Sequence, residues 1–197
     1  MGGQTLHPYG RKILDTGGSS SGSGVSTTSN LAAASLGSET SGSILSPSSA
    51  NSLVGMKPTI GNVSRAGIVP ISSTLDTAGP MTKFVIDNIL IYNAINDFDP
   101  LDDYSVENYD IRIKEVVDNK LEDYTIGYYK SFYERDSLYK NAIDFLVEEG
   151  VELQVIDAPQ IRLEGFAKIL DEDMRYDLRS YLSVSYTHLR AHETIPD

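Results

Sequence analysis

Serine is concentrated in one segment of the chain, which raises the question of what chemistry it performs. Between Ser19 and Ser52 the sequence is rich in serine and glycine. A serine hydroxyl needs a base to act as a nucleophile at neutral pH, and the usual base is a histidine oriented by an acid. Of three histidines, His7 lies upstream of this segment, and His188 and His192 lie in an anomalous tail. Serine–histidine chemistry therefore lacks a suitable histidine.

Other familiar site patterns are also incomplete. Residues 18–22 match the G-x-S-x-G elbow of α/β-hydrolases, but that fold needs an acid and a histidine downstream. Gly17 and Gly22 have the separation of a phosphate-binding loop, yet Ser23-Gly24 follows where Lys-Ser/Thr is required. The chain has no cysteine, and its histidines and carboxylates are not clustered at ligand spacing. We therefore expect no metal and no cofactor.

Charge is divided unequally along the 197-residue chain. The first 90 residues hold five basic and four acidic side chains, so the net charge of −12 arises from the acidic remainder. Such a surface is ordinarily solvated and does not suit a phosphate backbone as partner. No uncharged apolar run is long enough to span a membrane, and the N-terminus lacks the apolar core of a secretory signal. We expect a cytoplasmic protein without direct nucleic-acid or membrane binding.

Apolar periodicity predicts an α/β protein. The predicted helices are Met81–Asp97, Ser137–Gly150 and Arg162–Ser183, and the predicted strands are Tyr124–Lys130 and Val151–Ile156. Strand, helix and strand in this order predict a βαβ unit with parallel strands and a right-handed crossover. The Gly/Ser tract, residues 19–52, has the composition of a flexible linker. It encloses the apolar residues 31–36, however, which a linker would not need.

Five ordered blocks carry more specific information. They are residues 17–24 (Gly-Gly-Ser-Ser-Ser-Gly-Ser-Gly), 35–44 (Ser-Leu-Gly-Ser-Glu-Thr-Ser-Gly-Ser-Ile), 55–61 (Gly-Met-Lys-Pro-Thr-Ile-Gly), 63–70 (Val-Ser-Arg-Ala-Gly-Ile-Val-Pro) and 75–81 (Leu-Asp-Thr-Ala-Gly-Pro-Met). In this order they closely resemble the amidase signature family, from about Gly3 to Ser183. The resemblance implies a mixed β-sheet core flanked by helices, present in incomplete form, and an enzyme that hydrolyses a small-molecule carboxylic amide.

The resemblance also implies a Ser-Ser-Lys triad. Its nucleophile is the serine that closes the Gly-Ser-Glu-Thr-Ser-Gly-Ser block, Ser43, and its bridging serine is the first after Gly-Gly, Ser19. These serines are 24 positions apart (43 minus 19), which matches the family's spacing. The bridging serine usually follows a cis peptide bond. The family's oxyanion hole uses backbone N–H groups just before the nucleophile, which here belong to Thr40, Ser41 and Gly42.

The chemistry of these residues agrees with the implied roles. A hydroxyl both donates and accepts, so Ser19 can take the proton of Ser43 and pass it towards a lysine. Small residues allow closely spaced N–H groups to approach one oxyanion. The backbone around Ser19 has steric freedom from four glycines, at positions 17, 18, 22 and 24.

The family pattern continues beyond both ends of this sequence. The family's lysine lies well upstream of the bridging serine, whereas 18 residues precede Ser19 here, and Lys57 is expected to be structural. Residues 184–194 resemble the translation of a transposase adapter used in preparing DNA sequencing libraries. We therefore expect residues 1–183 to be a partial amidase domain without the catalytic-lysine region and the C-terminal third. Residues 184–197 are expected to be a non-native tail.

Departures from the family pattern affect the expected substrate. Ser41 stands where glycine is frequent, and Leu45 stands where an arginine often follows the nucleophile. The absence of that arginine favours a neutral amide over a substrate held by its carboxylate. Arg65 and Asp76, which lie in family motifs, are expected to form a structural ion pair or to support a turn rather than to contact substrate.

Three functions stay open at this point. The first is a stand-alone amidase that forms an acyl-Ser43 intermediate. The second is the amidase subunit of glutamyl-tRNA amidotransferase, which would require two partner subunits. The third is a non-enzymatic truncated product, since the chain as written lacks its expected base.

Overall fold

The computed structural model describes residues 3–157 and 163–185, which form two compact units. Unit 1 comprises Met1–Ile111 and Gly165–Asp197, and unit 2 comprises Arg112–Glu164. The elements of unit 1 before residue 112 are α1 (Ser21–Thr28), β1 (Ser35–Glu39), α2 (Leu45–Ala50), β2 (Val54–Gly55), β3 (Thr77–Thr82) and α3 (Val85–Asn93). The elements of unit 2 are α4 (Ile113–Asp118), a 3₁₀ turn (Leu121–Asp123), β4 (Thr125–Tyr129), α5 (Lys130–Tyr133), α6 (Ser137–Glu148) and β5 (Glu152–Ile156). Helix α7 (Phe166–Ser185) returns to unit 1.

Unit 1 is built around a three-stranded antiparallel sheet in the order β1-β3-β2. The register runs from Ser35↔Met81 to Glu39↔Thr77 between β1 and β3, and β2 pairs Val54 with Thr82. All six residues of the central strand β3 are buried. Beside it, Val63, Ala78 and Tyr92 form an apolar cluster with the partly buried residues Met56, Ile68, Ile95 and Ile111.

The Gly/Ser tract is folded, which confirms the prediction that it is not a linker. It forms α1, β1 and α2, and the buried Asn51 near its end connects it to the segment that precedes it. The Asn51 amide donates to the backbone oxygens of Thr16 at 2.9 Å and Pro47 at 2.8 Å. A Cβ atom at Gly24 of α1 would lie 3.1 Å from the same amide nitrogen, so the small residue allows close packing here.

The helix predicted over Met81–Asp97 is shorter than expected. Its first residues belong to β3, because Met81 is fully buried and pairs with both Ser35 and Gly55. Helix α3 begins at Val85 and ends at Asn93, with Ile89 and Tyr92 on its buried side. Sheet pairing across the chain therefore overrides the local helical pattern at the start of this segment.

Unit 2 confirms the predicted strand–helix–strand order. Strands β4 and β5 pair in parallel from Thr125↔Glu152 to Tyr129↔Ile156, with α6 between them in sequence. The carboxylate of Asp136 caps α6 by accepting from the N–H groups of Leu138 and Tyr139. The α/β class is thus confirmed, and among the described residues the parallel and antiparallel strands lie in separate sheets.

The predicted C-terminal helix is present as α7, beginning after Gly165, and the predicted start at Arg162 lies outside the described residues. The tail from residue 186 onward, with His188 and His192, lies outside them as well. Among the described helices, none combines the length and apolar character needed to cross a bilayer.

Candidate active site

Ser43 lies between β1 and α2, in residues 40–44, which we call the nucleophile turn after the role expected of Ser43. Its side chain is half-buried, and the next residue, Ile44, is completely buried. The buried carboxylate of Glu39 closes the turn by accepting from the N–H groups of Ile44 at 2.7 Å and Leu45 at 2.9 Å. A residue at the end of β1 therefore fixes the backbone on the far side of Ser43.

Ser19 is brought close to this turn by its neighbour. The peptide bond between Gly18 and Ser19 is cis, as expected for the bridging serine, and the Ser19 side chain is exposed. The N–H of Ser20 donates to the carbonyl oxygen of Ser43 at 3.2 Å. The Ser20 hydroxyl also donates to the Ser38 carbonyl and accepts from the Ser38 N–H, both at 3.2 Å. Among the described contacts, no hydrogen bond joins the Ser19 and Ser43 hydroxyls.

The expected oxyanion-hole residues occupy the start of the nucleophile turn. Gly42 has φ of 88°, in the left-handed region that favours glycine. In the described part of the chain, the N–H groups of Ser41 and Gly42 donate to no protein acceptor. The Thr40 hydroxyl is engaged, because it donates to the carboxylate of Asp76. Residues 40–42 thus combine the anchored side chain of Thr40 with the N–H groups of Ser41 and Gly42, which have no acceptor among the described residues.

Asp76 supports a turn, as the sequence predicted. Its second oxygen accepts from the N–H groups of Ile71 at 2.8 Å and Ser72 at 2.9 Å. We call residues 71–76 the support loop. From the other side, Asp173 of α7 accepts from the hydroxyls of Ser72 at 2.5 Å and Thr74 at 2.7 Å. These hydrogen bonds hold the pKa of Asp173 below its ordinary value.

Arg65 forms the ion pair expected of it, and the structure identifies its partner as Asp102. The guanidinium donates to the Asp102 carboxylate, from Nε to Oδ2 at 2.9 Å and from Nη2 to Oδ1 at 2.8 Å. It also lies over the ring of Tyr104. Hydrogen bonds from Arg65 lower the pKa of Asp102 from 3.8 to about 2, against the opposing effect of burial. The side-chain hydrogen bond to Asp102 in turn raises the pKa of Arg65. Arg65 also donates to the carbonyl oxygen of Ser73, which adds a further contact to the support loop.

A cavity of about 230 Å³ lies beside the support loop. It is lined by polar groups, including Arg65, Asp76 and Asp177, and by apolar ones, including Ile68 and Leu101. Neither serine of the expected triad is among its lining residues. The cavity therefore adjoins the support loop rather than Ser43.

The remaining candidate bases have other surroundings. Lys57 and Lys12 are exposed, and the backbone of Lys12 has a positive φ of 63°. His7 is buried, and its Nδ1 accepts from the N–H of Tyr9 at 3.3 Å. Its Nε2 therefore carries the proton and donates to the Ala50 carbonyl at 3.0 Å, so both ring nitrogens serve the backbone. Within residues 3–157 and 163–185, no three acidic or histidine side chains are grouped as a metal site requires.

Several site residues were not predicted as such from the sequence. Ser20 and Asp102 bind partners 18 and 37 residues away, which no local pattern marks. Glu39 binds N–H groups five and six residues away, in a turn whose path the sequence pattern does not specify. The signal available for Glu39 was its place within the block that ends at Ser43.

Comparisons with known proteins bear on this arrangement. The sequence model of the Amidase family matches residues 1–192. Over 86 residues, 44% of this chain and 17% of the relative, the sequence is 57% identical to a probable amidase of Arabidopsis thaliana. Over 183 residues, 89% of this chain and 38% of the relative, it is 35% identical to a glutamyl-tRNA(Gln) amidotransferase subunit of Neisseria gonorrhoeae.

A solved structure extends the similarity to three dimensions. The native peptide amidase of Stenotrophomonas maltophilia aligns with a TM-score of 0.80 and 31% sequence identity, over 93% of this chain and 39% of that protein. The fold expected from the five sequence blocks is thereby confirmed for the part that this chain represents. The chain spans less than two fifths of the length of the two curated relatives.

Proposed function

The chain belongs to the amidase family, and on this premise we propose that it is the nucleophile-bearing part of an enzyme that hydrolyses a carboxylic amide. Ser43 is the nucleophile, Ser19 relays its proton, and the N–H groups of Thr40, Ser41 and Gly42 bind the oxyanion. The observation that carries the proposal is the hydrogen bond from Ser20 N–H to the Ser43 carbonyl at 3.2 Å. It holds the two serine-bearing segments side by side.

The reaction proceeds through an acyl-enzyme. The Ser43 hydroxyl oxygen attacks the amide carbonyl carbon while its proton passes to the Ser19 oxygen, and the Ser19 proton passes to the base. The carbonyl oxygen becomes an oxyanion that the N–H groups stabilise. The C–N bond breaks as the leaving nitrogen takes a proton back through Ser19. Water then cleaves the acyl ester by the same route, which releases the carboxylic acid and restores Ser43.

Support for the oxyanion role comes from the uncommitted N–H groups of Ser41 and Gly42 within the described contacts. An oxyanion hole requires donors that are already oriented and that are not used by the protein. The positive φ of Gly42 sets the direction of its backbone and favours a residue without a Cβ atom.

The base belongs to a part of the enzyme outside this sequence. The family resemblance places a lysine well upstream of Ser19, and the exposed Lys12 and Lys57 have no described contact with either serine. We therefore propose that residues 1–183 are one portion of a longer amidase and that residues 184–197 are foreign to it. Expressed alone, residues 1–183 are expected to hydrolyse no amide. Robust turnover by that polypeptide would show that another group replaces the lysine.

Replacement of Ser43 tests the function directly. In the enzyme expressed from its complete reading frame, Ser43→Ala should lower kcat by about 10⁴-fold or more, since the nucleophile acts as a unit with its relay. Ser46→Ala is the matched control, because Ser46 is an exposed serine on α2 without a side-chain hydrogen bond among the described residues. It should retain full activity. An active Ser43→Ala enzyme, with its fold verified by circular dichroism, would overturn the assignment.

Leu45 bears on the substrate class. It follows the nucleophile turn, its side chain is 45% exposed, and it carries no charge that could hold a substrate carboxylate. We therefore favour a neutral amide. Leu45→Arg should increase the relative kcat/KM for amides that carry a carboxylate, and equal effects on neutral and acidic amides would contradict this preference.

A second candidate is a component of an amidotransferase, favoured by the 35% identity to the Neisseria gonorrhoeae protein over 89% of the chain. In that case the protein would act within a multi-chain complex. Affinity purification of the complete protein from its own cells distinguishes the two functions. Stoichiometric partners would favour the amidotransferase, whereas an active single polypeptide would favour the stand-alone amidase that we prefer. The cytoplasmic location stays a prediction in either case.

A further inference from the structure

The end of the β1–β3 ladder places two polar residues opposite each other. The last pair of the ladder is Glu39↔Thr77, so the next residues outward are Thr40 and Asp76. Their side chains meet, because the Thr40 hydroxyl donates to Oδ1 of Asp76. The contact lies where β1 gives way to the nucleophile turn.

Asp76 is a fixed partner rather than a mobile surface group. Its side chain is 7% exposed, and Oδ2 accepts from the N–H groups of Ile71 at 2.8 Å and Ser72 at 2.9 Å. A carboxylate bound through both oxygens cannot rotate without breaking a hydrogen bond. The support loop that it caps is held in turn by Asp173 and Asp177 of α7. Thr40 is thus tied to a well-braced part of unit 1.

The rest of the nucleophile turn has little support of this kind. Ser41 is exposed, and a Cβ atom at Gly42 would meet no atom within 4 Å. Within the described contacts, Thr40 is the one residue of 40–42 whose side chain forms a hydrogen bond. On the other side of Ser43, Glu39 binds the N–H groups of Ile44 and Leu45. Two buried carboxylates therefore hold the turn, one at each end.

We infer that Asp76 is a positioning residue, which orients the oxyanion-binding N–H groups of the nucleophile turn through the Thr40 hydroxyl. The inference rests on the function proposed above, since it assigns a purpose to the geometry of residues 40–42. Donors of this type are effective only when they are aimed at the developing charge. A displacement of about 1 Å at such a site is enough to lower the rate by about 100-fold.

Thr40→Val is the decisive variant in the enzyme expressed from its complete reading frame. It removes the hydroxyl, keeps the side-chain volume and the backbone N–H, and leaves the Asp76 bonds to the support loop in place. We expect kcat per active site to fall about 10- to 100-fold, with KM changed by less than about threefold. Thr40→Ser, which retains the hydroxyl, should restore most of kcat.

Asp76→Asn gives an independent approach to the same contact. It should lower kcat to a similar extent, and the double variant with Thr40→Val should be no slower than the slower single variant, because one shared contact is lost. Asp99→Asn is the matched control. Asp99 also accepts from a hydroxyl, that of Ser64 at 2.6 Å, and from a loop N–H, that of Leu101 at 2.9 Å, but has no described contact with residues 40–45. Its kcat should match that of the unmodified enzyme.

The outcomes separate this inference from the proposed function. An unchanged kcat in Thr40→Val, fully additive effects of Thr40→Val and Asp76→Asn, or equal losses in Asp99→Asn would overturn the positioning role while leaving Ser43 as nucleophile. Activity in Ser43→Ala would instead overturn the function itself. Counting active sites by titration with a serine-directed reagent ensures that a smaller folded fraction is not mistaken for a slower enzyme.

Discussion

Units 1 and 2 are stabilised in contrasting ways. In unit 1, polar side chains are buried and bind backbone groups, as Glu39, Asn51 and Asp76 do. Unit 2 is a regular βαβ arrangement, and its described buried side chains are the apolar Ile143 and Val151. Its ion pairs lie on the surface, as between Lys130 and Glu134.

The difference follows from the backbone conformation of each unit. Helices and strands satisfy their own backbone groups, so unit 2 needs few side-chain partners for its main chain. The nucleophile turn and the support loop are irregular, and their buried N–H groups need acceptors from elsewhere in unit 1. The candidate site therefore depends on contacts that are distant in sequence. Variants that are harmless in unit 2 should be costly at equivalent positions in unit 1.

Glycines in the two sheets give the largest predicted contrast. A Cβ atom at Gly79 of β3 would lie 2.0 Å from the backbone oxygen of Met56, and backbone cannot move aside easily. At Gly127 of β4 the nearest atoms are side-chain carbons of Ile156 at 3.1 Å, which can shift. Gly79→Ala should destabilise the chain by at least about 3 kcal/mol, and Gly127→Ala by less than about 1 kcal/mol.

Urea denaturation followed by circular dichroism measures both free energies of unfolding. Equal losses in the two variants would contradict the view that unit 1 is the more tightly constrained unit. A chain that tolerates Gly79→Ala would also show that β3 can move away from Met56.

Glu39 provides the next largest effect. Glu39→Ala leaves the buried N–H of Ile44 and the partly buried N–H of Leu45 without their acceptor, and it should cost about 2 to 3 kcal/mol. Glu39→Gln retains an oxygen that can accept from both groups and should cost less than half as much. Amide hydrogen exchange at Ile44 and Leu45 reports the change locally. Unchanged protection of these amides in Glu39→Ala would contradict the proposed capping.

The third largest effect should be the loss of stability from the Arg65–Asp102 ion pair at low pH. The pKa of Asp102 is about 2 in the folded chain and 3.8 ordinarily, so the charged form is favoured on folding. Its contribution, about 2 kcal/mol, is fully present above pH of about 4 and is lost as pH falls towards 2. The stability difference between the unmodified chain and Asp102→Asn should therefore shrink over that interval. A difference that stays constant from pH 6 to pH 2 would show that the pair contributes no pH-dependent stability.

Surface pairs in unit 2 should show the smallest effect. The Nζ atom of Lys130 lies 3.7 Å from Oε1 of Glu134, and the two side chains are 68% and 58% exposed. Such pairs contribute little, because water and salt screen them. Lys130→Ala should leave the urea midpoint within experimental error. A shift comparable to that of Glu39→Ala would remove the distinction between the two units.

The sequence predicts the secondary structure of unit 2 better than the contacts of unit 1. Local apolar periodicity predicts the βαβ unit and α7. The start of the helix predicted over Met81–Asp97 is strand in the structure, because Met81 pairs with residues far away in the chain. Ser43 and Ser19 were located by ordered sequence blocks, and their roles stay predictions. The partner of Asp102 cannot be predicted, since nothing in a local pattern specifies a residue 37 positions away. The block that ends at Ser43 marks Glu39, but it does not specify the path of the turn that Glu39 caps.

The most direct test of the account is to identify the serine that reacts. The enzyme expressed from its complete reading frame would be treated with a fluorophosphonate, digested after glutamate and analysed by mass spectrometry. Cleavage after Glu39 and Glu107 separates Ser43 from Ser19. We expect one adduct, on the peptide of residues 40–107, with fragmentation placing it on Ser43. An adduct on Ser19, on another serine, or on no serine of an active enzyme would contradict it.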